Sequence, residues 1–292
     1  MINLRQAIDE ARQKNIAIGH FNVSDLAGLK AVVEGAKNLN VPVIVGVSEG
    51  ERDFIGVRQI ALLVKSFKDD YQIPVFLNAD HTHSFEKIKE AVEAGFDAVL
   101  FDAGRKSLEE NISETKKVVN FVKEYNLTNG TDIMVEGELG YIGSGSVLLD
   151  AIPQGVSVKK EDLTNPSDAR KFIQETGIDL LAPAVGNIHG MLSNISDPVL
   201  DIDLIRHISA LAGVPLVLHG ASGNTTDDVK NAIAAGMSIV HINTELRVAW
   251  KRGLDLSLLS HPKEIVPYKI LPEVVYEISK VVTDKLKIFN NL

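Results

Sequence analysis

The stretch PVFLNADHTH, residues 74–83, contains the pattern that decides the fold. Residues 74–79 form a mostly apolar run that opens on a proline, and Asp80, His81 and His83 follow it. Such runs are typical of parallel strands that are buried on both faces, and proline is tolerated at the first residue of a strand. The stretch therefore predicts a buried strand that ends in chemically active side chains.

Seven further runs of this kind are distributed along the chain, and segments with helical spacing separate them. One such segment, residues 85–94, has apolar residues on one face and a glycine directly after it, which is a common helix stop. Asn165-Pro166 and Asp197-Pro198 each resemble a helix cap followed by a first-turn proline. Eight strands that alternate with helices predict an α/β fold, a (β/α)8 TIM barrel, with an open doubly wound sheet as the alternative. The predicted strands cover residues 16–21, 42–47, 74–79, 98–101, 133–135, 178–185, 215–218 and 238–242.

The chain has 292 residues, and a single barrel of this type runs to about 250 residues. Because no Pro/Ser-rich linker or low-complexity block interrupts the sequence, we predict one barrel domain over residues 1–292 with a C-terminal helical tail. The tail, residues 265–289, is apolar enough to pack against a partner subunit.

Composition excludes several classes of protein. The chain has no Cys, which excludes disulfide scaffolds and thiolate-bound metals. Its 39 acidic and 30 basic residues give a net charge of −9, which disfavours binding to nucleic acid. No apolar run approaches the roughly 18 residues that span a bilayer, and no signal-peptide pattern opens the sequence. We therefore predict a cytoplasmic enzyme whose partners are small molecules and include neither nucleic acid nor membrane.

Polar residues follow every predicted strand. The C-terminal ends of barrel strands converge on one mouth, where the active sites of such barrels lie, so residues distant in sequence can meet there. An open sheet would spread them along an edge, and the barrel is therefore favoured. The residues are Asn22 and Ser48 after strands one and two, Asp80 and His81 after strand three, Asp102 after strand four, Glu136 and Glu138 after strand five, Gly186 to Gly190 after strand six, His219 and Gly220 after strand seven, and Asn243 to Glu245 after strand eight.

Three of the eight histidines, His81, His189 and His219, lie at the ends of predicted strands three, six and seven. A single histidine at such a place is more often a surface or hydrogen-bonded residue. Three that converge match a catalytic zinc site, in which three protein ligands leave one position open. Since the chain has no Cys, histidines and carboxylates must supply the ligands of any such metal.

Two loops, residues 219–223 (HGASG) and 243–245 (NTE), follow strands seven and eight. Many barrels bind phosphate at these two loops through backbone N–H groups and a helix N-terminus, although simple turns have similar sequences. Together the two loops favour a phosphate site. Asp80 is a candidate general acid or base, with a helix cap or a partner of a metal ligand as the alternative. Residues 140–146, GYIGSGS, are suited to a mobile lid.

Eight short motifs occur in order along the chain: Phe21-Asn22-Val23, Val47-Ser48-Glu49-Gly50, Ala79-Asp80-His81, Phe101-Asp102, Val135-Glu136-Gly137-Glu138-Leu139-Gly140, Gly186 to Gly190, Leu218 to Gly223, and Thr244-Glu245-Leu246-Arg247. Their order and spacing resemble the class II, metal-dependent aldolases of fructose 1,6-bisphosphate and tagatose 1,6-bisphosphate, and the resemblance covers nearly the whole chain. Cleavage of a C–C bond next to a ketone needs a stabilised enediolate, and a metal supplies that stabilisation as a Lewis acid.

The resemblance implies a zinc-dependent aldolase that reversibly cleaves fructose 1,6-bisphosphate, as the first candidate, into dihydroxyacetone phosphate and glyceraldehyde 3-phosphate. Tagatose 1,6-bisphosphate, or another reaction that uses dihydroxyacetone phosphate, is the alternative. The resemblance also implies a Na⁺ or K⁺ ion near the donor phosphate and a homodimer or homotetramer. The implied residues are His81, His189 and His219 for zinc, Glu138 and Asp102 for a second or alternative metal position, Asp80 as acid/base at the aldehyde oxygen, Gly190, Gly220, Ser222, Asn243 and Thr244 around the donor phosphate, and Asn22 and Ser48 toward the other end of the substrate.

Several positions depart from the family pattern. Asn78 replaces the histidine that usually precedes the Asp-His pair, His241 stands where asparagine is common, and Ile239 stands where lysine is common. The loop after Glu138 lacks the usual acidic residues, one of which the family uses for proton transfer at C1 of the donor. Asp150 or another acidic residue nearby is the candidate for that step.

Two other functions fit parts of the sequence. His81-Thr82-His83 matches the His-x-His motif of metal-dependent amidohydrolases, although that motif usually ends the first strand of a barrel. A site of that type would use both His81 and His83 as metal ligands. A non-catalytic sugar-phosphate binder is the other alternative, because the loop acid is missing.

Overall fold

The computed structural model describes residues 2–143, 145–194 and 197–292. Its centre is a closed barrel of eight parallel strands, in which each strand pairs with the next and the last pairs with the first. The predicted (β/α)8 TIM barrel is confirmed, and the open-sheet alternative is wrong. The strands are β1 (Ile18–Asn22), β2 (Val43–Val47), β3 (Val75–Thr82), β4 (Ala98–Phe101), β5 (Met134–Leu139), β6 (Leu180–Pro183), β7 (Leu216–Leu218) and β8 (Met237–Ile242).

Helices surround the barrel and connect its strands. Two very short strands, Leu148–Leu149 and Met191–Leu192, pair with each other outside it. In the part of the chain that the structure describes, the α-helices are α1 (Leu4–Gln13), α2 (Leu26–Leu39), α3 (Glu49–Ile55), α4 (Val57–Tyr71), α5 (Phe85–Ala94), α6 (Leu108–Asn129), α7 (Pro166–Thr176), α8 (Ile202–Ala212), α9 (Thr226–Ala234), α10 (Thr244–Ser260) and α11 (Pro267–Asn290).

The helix-cap predictions have mixed outcomes. Helix α5 has the predicted bounds, and α7 begins at Pro166 with Asn165 as its N-cap. The helix start predicted at Asp197 is wrong, because α8 begins at Ile202 and Asp201 is its N-cap. The Asp197 carboxylate instead accepts the N–H of Leu192 at 2.8 Å, so this Asx-Pro pair closes a loop.

The N-terminal end of the barrel is filled by apolar side chains. One inward-facing residue from each strand contributes to a cluster that packs against α1. Because α1 covers this end, the opposite end is the one that is open to ligands. The strand residues of the cluster include Ile18, Ile44, Phe76, Ala98, Met134, Leu180, Val217 and Ile239, and α1 contributes Leu4, Ala7, Ile8 and Ala11.

The next layer inside the barrel is polar. Side chains alternate between the two faces of a strand, so residues two positions after the apolar layer also face the barrel interior. These residues include His20, Asn78, Glu136, His219 and His241, and all five are buried. The alternation thus places His20, His219 and His241 inside the barrel, close to its mouth.

The predicted apolar tail corresponds to α11 and packs against its own chain. The buried residues Val274, Ile278, Val282, Leu286 and Phe289 lie on one face, which contacts α2, α10 and β1. The apolar pattern of residues 265–289 is therefore explained within one chain and does not require a partner subunit. Among the described residues, no helix is long and apolar enough to cross a membrane.

We expect Gly46→Ala to destabilise the fold. A Cβ at Gly46, in β2, would lie 2.0 Å from the ring of His20, which is itself fixed inside the barrel. Overpacking of this kind costs roughly 1–3 kcal/mol, and chemical denaturation measures it. The control is Gly50→Ala in α3, where a Cβ would meet nothing within 4 Å. Equal free energies of unfolding for the two variants would contradict the tight packing around His20.

Candidate active site

Four side chains that could each supply a metal-ligand atom converge at the mouth of the barrel. One ligand atom from each of His81, Glu138, His189 and His219 lies within 4.8 Å of the other three. The Nε2 atoms of His81 and His189, the Nδ1 atom of His219 and both carboxylate oxygens of Glu138 are buried and have no hydrogen-bond partner. Buried polar atoms are rarely left without a partner, so the arrangement fits a metal ion.

Two of these histidines are oriented by carboxylates on their other nitrogen. The Nε2 atom of His219 lies 2.7 Å from Oε1 of Glu136, and Nδ1 of His81 lies 2.9 Å from Oδ2 of Asp102. A neutral imidazole that donates one N–H to a carboxylate keeps a lone pair on the other nitrogen. The carboxylates therefore direct Nδ1 of His219 and Nε2 of His81 toward the cluster.

Burial and neighbouring charges shift the pKa values of the side chains in this cluster. Burial lowers the pKa of His189, and the adjacent His81 and His219 lower it further. Burial and the charge of Asp102 raise the pKa of Glu138 well above its ordinary value. At His81, burial opposes the charge, but nearby carboxylates outweigh burial and raise its pKa to about 10. His81 thus carries a proton at neutral pH when no metal is bound.

Asp80 lies beside the cluster and is held by Asn22, whose Nδ2 donates to Oδ2 of Asp80 at 2.9 Å. The other carboxylate oxygen, Oδ1, is buried without a hydrogen-bond partner and lies 3.6 Å from Nδ1 of His241. Burial opposes the charge of Asp80, but His81, His20 and His219 outweigh it and hold the pKa well below its ordinary value. Asp80 is therefore ionised at neutral pH.

The end of β3 is fixed by Arg52, a residue that the sequence reasoning missed. Its guanidinium is buried and donates to the carbonyl oxygens of Val47 and Asp80 and to the Thr82 hydroxyl. Between these contacts, His81 adopts a φ of 35°, in the left-handed region that is unusual for a non-glycine residue. The contacts hold the turn that lets Asp80 and His81 both face the mouth.

Beneath Asp80, His20 and His241 form a stacked pair. Their ring centroids are 3.4 Å apart with an interplanar angle of 2°, and the His20 Nε2 atom lies 3.1 Å from Nδ2 of Asn78. Asn78 and His241 are two of the positions that depart from the family pattern. Asn78 contacts the stack of which His241 is a part, so both positions belong to one buried layer beneath the mouth of the barrel.

The predicted donor-phosphate residues line one cavity beside the cluster, which we call the inner cavity. Gly190 and Gly220 have φ values of 107° and 60°, and a Cβ at either would clash with neighbouring atoms. Ser222 Oγ accepts the backbone N–H groups of Asn243 and Glu245 at the start of α10. The inner-cavity lining includes Asn22, Asp80, His189, Gly190, Gly220, Ser222, His241, Asn243 and Thr244.

A second cavity of about 310 Å³, which we call the outer cavity, adjoins the first. Asp80, His189 and Asn243 line both cavities, so the two share a wall. The outer-cavity lining includes Ser48, Glu49, Gly50, His81, His83, Asp102 and Arg247. Every predicted site residue lines one of the two cavities or belongs to the four-residue cluster.

Two sequence-based suggestions are decided by these positions, and a third is not. His83 is 57% exposed and belongs to none of the potential metal groups among the described residues, which disfavours the amidohydrolase alternative. Asp150 accepts the hydroxyl of Ser193 at 3.2 Å and lines neither cavity, so it is not placed to act as the C1 base. The predicted lid includes Ser144, which lies outside the described residues.

A closed parallel barrel with buried histidines and carboxylates at its C-terminal mouth defines a metal-dependent TIM-barrel enzyme. The family model for class II fructose-bisphosphate aldolases matches residues 2–292. The chain therefore belongs to the class II fructose-bisphosphate aldolase family, whose members are metal-dependent carbon–carbon lyases that act on sugar phosphates.

Individual relatives agree with this assignment. The chain is 33% identical to a fructose-bisphosphate aldolase of Staphylococcus aureus, over 99% of this chain and 97% of the relative. It is 32% identical to a probable fructose-bisphosphate aldolase of Bacillus subtilis, over 100% and 98%. The crystal structure of the YdjI aldolase from Escherichia coli K12 superposes with a TM-score of 0.81 at 29% identity, over 98% of this chain and 96% of that one.

We expect the affinity of the metal-free protein for divalent ions to rise with pH. The pKa of His81 is raised to about 10, so a metal must displace a proton from this ring at neutral pH. Each unit of pH then strengthens binding by up to about tenfold. Titration with Co²⁺ between about pH 6.5 and pH 8.5 measures the slope. The control is His207→Asn, an exposed residue of α8, which should keep the slope. An affinity that does not change with pH would contradict a protonated His81.

Proposed function

We propose that this protein is a zinc-dependent aldolase that reversibly cleaves a phosphorylated ketose into dihydroxyacetone phosphate and an aldehyde. Fructose 1,6-bisphosphate, after which the relatives are named, and tagatose 1,6-bisphosphate are the reference substrates. The observation that carries the proposal is the cluster of His81, His189, His219 and Glu138, whose buried donor atoms have no partner. The inner cavity, with its glycine loops, lies directly beside it.

The three histidines would hold the zinc ion, and Glu138 would supply the second or alternative position. A bound zinc ion supplies Lewis-acid chemistry to the ketone end of the substrate. The contact of Asp102 with Nδ1 of His81 supports a positioning role for this carboxylate, in which it orients a ligand. Glu136 orients His219 in the same way.

Asp80 would act on the oxygen of the aldehyde fragment. Asp80 is ionised, which a group that accepts the hydroxyl proton in the cleavage direction must be. Loss of that proton would release the aldehyde. In the synthesis direction it returns that proton. Asn22 fixes the carboxylate by donating to Oδ2, which leaves Oδ1 free for the substrate hydroxyl.

The donor phosphate would bind at the inner cavity. Gly190 and Gly220 allow the backbone to approach an anion closely, and the positive end of the α10 helix dipole favours negative charge. Ser222 and Thr244 add hydroxyl groups to the same cavity. Anchoring the phosphate here would align the ketone with the cluster of His81, Glu138, His189 and His219.

Four further expectations stay predictions: the Na⁺ or K⁺ ion, the homo-oligomer, the single-domain assignment and the cytoplasmic location.

We expect a chelator to abolish aldol cleavage and zinc to restore it. The Lewis acid is needed to stabilise the charge that develops on the ketone oxygen, so the metal-free enzyme should lose at least about a thousandfold in kcat. A coupled assay with fructose 1,6-bisphosphate and tagatose 1,6-bisphosphate follows the activity, and metal analysis gives the stoichiometry. Full activity of the metal-free protein would overturn the proposal.

We expect Asp80→Asn to keep the metal but to lose about 10²–10⁴-fold in cleavage rate. Exchange of the C1 proton of dihydroxyacetone phosphate with solvent should persist, because that step does not use the aldehyde oxygen. The control is Asp150→Asn, which lies outside both cavities and should retain cleavage and exchange. Absence of exchange in the zinc-loaded wild-type protein would favour a non-catalytic binder, and an unchanged kcat would remove Asp80 from the mechanism.

A further inference from the structure

Glu51 is a buried carboxylate beside the site, and none of the roles assigned above uses it. It lies in the first turn of α3 and is 6% exposed. Its Oε2 atom accepts the N–H of Ser48 at 2.7 Å, as in a capping box, and its Oε1 atom accepts Nη2 of Arg247 at 2.8 Å. A helix cap with an ion pair would explain these two contacts, but Glu51 has a third partner.

The third partner of Glu51 is the side-chain amide of Asn22. The Nδ2 atom of Asn22 donates to Oε2 of Glu51 at 3.0 Å and to Oδ2 of Asp80 at 2.9 Å. An amide nitrogen carries two N–H groups, so each carboxylate can receive one. Because ionised carboxylates only accept hydrogen bonds, the amide nitrogen, and not the amide oxygen, must lie between the two. Glu51 therefore helps to decide which way the Asn22 amide faces.

The orientation of this amide bears on the acid/base step assigned to Asp80. With Nδ2 of Asn22 toward Asp80, Oδ2 is held and Oδ1 is left without a partner. In the reversed orientation the amide oxygen would face the carboxylate and repel it. Asn22, Glu51 and Asp80 are all buried, so water has little access to replace a lost contact. A misplacement of a reacting group by about 1 Å can cost about a hundredfold in rate.

Arg247 holds Glu51 from the side opposite Asn22. While its Nη2 donates to Glu51, its Nη1 donates to the carbonyl of Ser146 at 2.9 Å. Arg247 lies in the first turns of α10, and Ser146 lines both cavities. A guanidinium group has a fixed fork of donors, so it can bind two acceptors at once. Glu51 is therefore braced against two other walls of the site.

We propose that Glu51 is a positioning residue for the cleavage step, which holds the Asn22 amide so that it donates to Asp80. This inference rests on the proposed aldolase function and adds a residue to it. Glu51 is not among the residues that line either cavity, so it acts through Asn22 and not on the substrate. A helix cap would affect stability alone, whereas a positioning role affects cleavage selectively.

The main test removes the acceptor oxygens of Glu51 and nearly keeps the volume of the side chain. In Glu51→Met, we expect kcat for cleavage of the two ketose bisphosphates to fall about tenfold or more, because the Asn22 amide is free to turn away from Asp80. Exchange of the C1 proton of dihydroxyacetone phosphate does not use the aldehyde oxygen, so we expect it to stay within about threefold of the wild-type rate. Both rates are measured on the same zinc-loaded preparation.

A purely structural role of Glu51 gives a different result. Loss of a helix cap would lower cleavage and exchange together, or neither, and each of these results would overturn the inference. Asp53→Met is the matched control, because Asp53 lies on the same helix and pairs with Lys87 at the surface. Asp53 lines neither cavity, so this variant should retain both rates.

Two conservative variants test whether the hydrogen bond to Asn22 is the cause. Glu51→Gln keeps one oxygen that can accept the N–H groups of Ser48 and Asn22, and we expect cleavage within about threefold of the wild type. In Glu51→Asp the carboxylate is shorter by one CH₂ group and is drawn back from Asn22. Cleavage by Glu51→Asp should therefore be slower than cleavage by Glu51→Gln, and this comparison decides the question if Glu51→Met does not fold. Equal rates for the two variants would contradict the inference.

A double-mutant cycle with Asn22→Ala tests the route. Asn22→Ala removes the amide and should lower cleavage by itself. In that background we expect Glu51→Met to change the cleavage rate by less than about twofold, because the group that it orients is gone. Losses that multiply independently would show that Glu51 does not act through Asn22 and would overturn the inference.

Failure of the inference is distinguishable from failure of the proposed function. A wild-type enzyme that cleaves neither ketose bisphosphate would overturn the inference, and its exchange of the C1 proton then shows whether the aldolase proposal falls with it. An active wild-type enzyme with an equally active Glu51→Met variant would overturn the inference alone.

Discussion

Buried carboxylate–imidazole pairs are the interactions on which the rest of this site depends. The pair of Glu136 and His219 is almost completely shielded from water, with 2.7 Å between Oε1 and Nε2. Breaking such a pair would leave an uncompensated polar group in the barrel interior, which typically costs several kcal/mol. The pair therefore fixes the ring of His219, and the Asp102 contact fixes His81 in the same way. These two rings are thus held so that their free nitrogens face the same cluster.

The barrel and the three clustered histidines could be predicted because their signals are local. A near-continuous apolar run such as residues 75–79 indicates a buried parallel strand, and its end identifies a residue at the mouth. Strand β5 shows where this reasoning is incomplete. It extends to Leu139, beyond the predicted end at residue 135, because its sequence MVEGEL alternates apolar and charged residues as a strand with a polar inner face does. Glu136 and Glu138 thus lie within the strand and face the barrel interior.

The contacts that complete the site join residues far apart in the chain, and no local pattern encodes them. Arg52 resembles an ordinary solvent-facing charge on a short helix, yet it is 1% exposed and holds the end of β3. The ion pair of Arg247 and Glu51 joins residues 196 positions apart. The stack of His20 on His241 depends on the closure of β8 against β1. Each of these contacts depends on how the closed barrel aligns its strands. That alignment cannot be derived from the sequence until the fold is known.

The position of α11 has a consequence for how the chain reaches its final form. This helix covers α2 and β1, and the carbonyl of Phe289 accepts the N–H of Ala17, directly before the first strand. The first strand also needs β8 as a neighbour, so both edges of the early sheet stay incomplete until late segments arrive. During synthesis the N-terminal half would expose apolar surface and an unpaired strand edge for as long as translation of the remainder takes. The late closure of the barrel thus leaves the growing polypeptide exposed to aggregation until its C-terminal segments have been made.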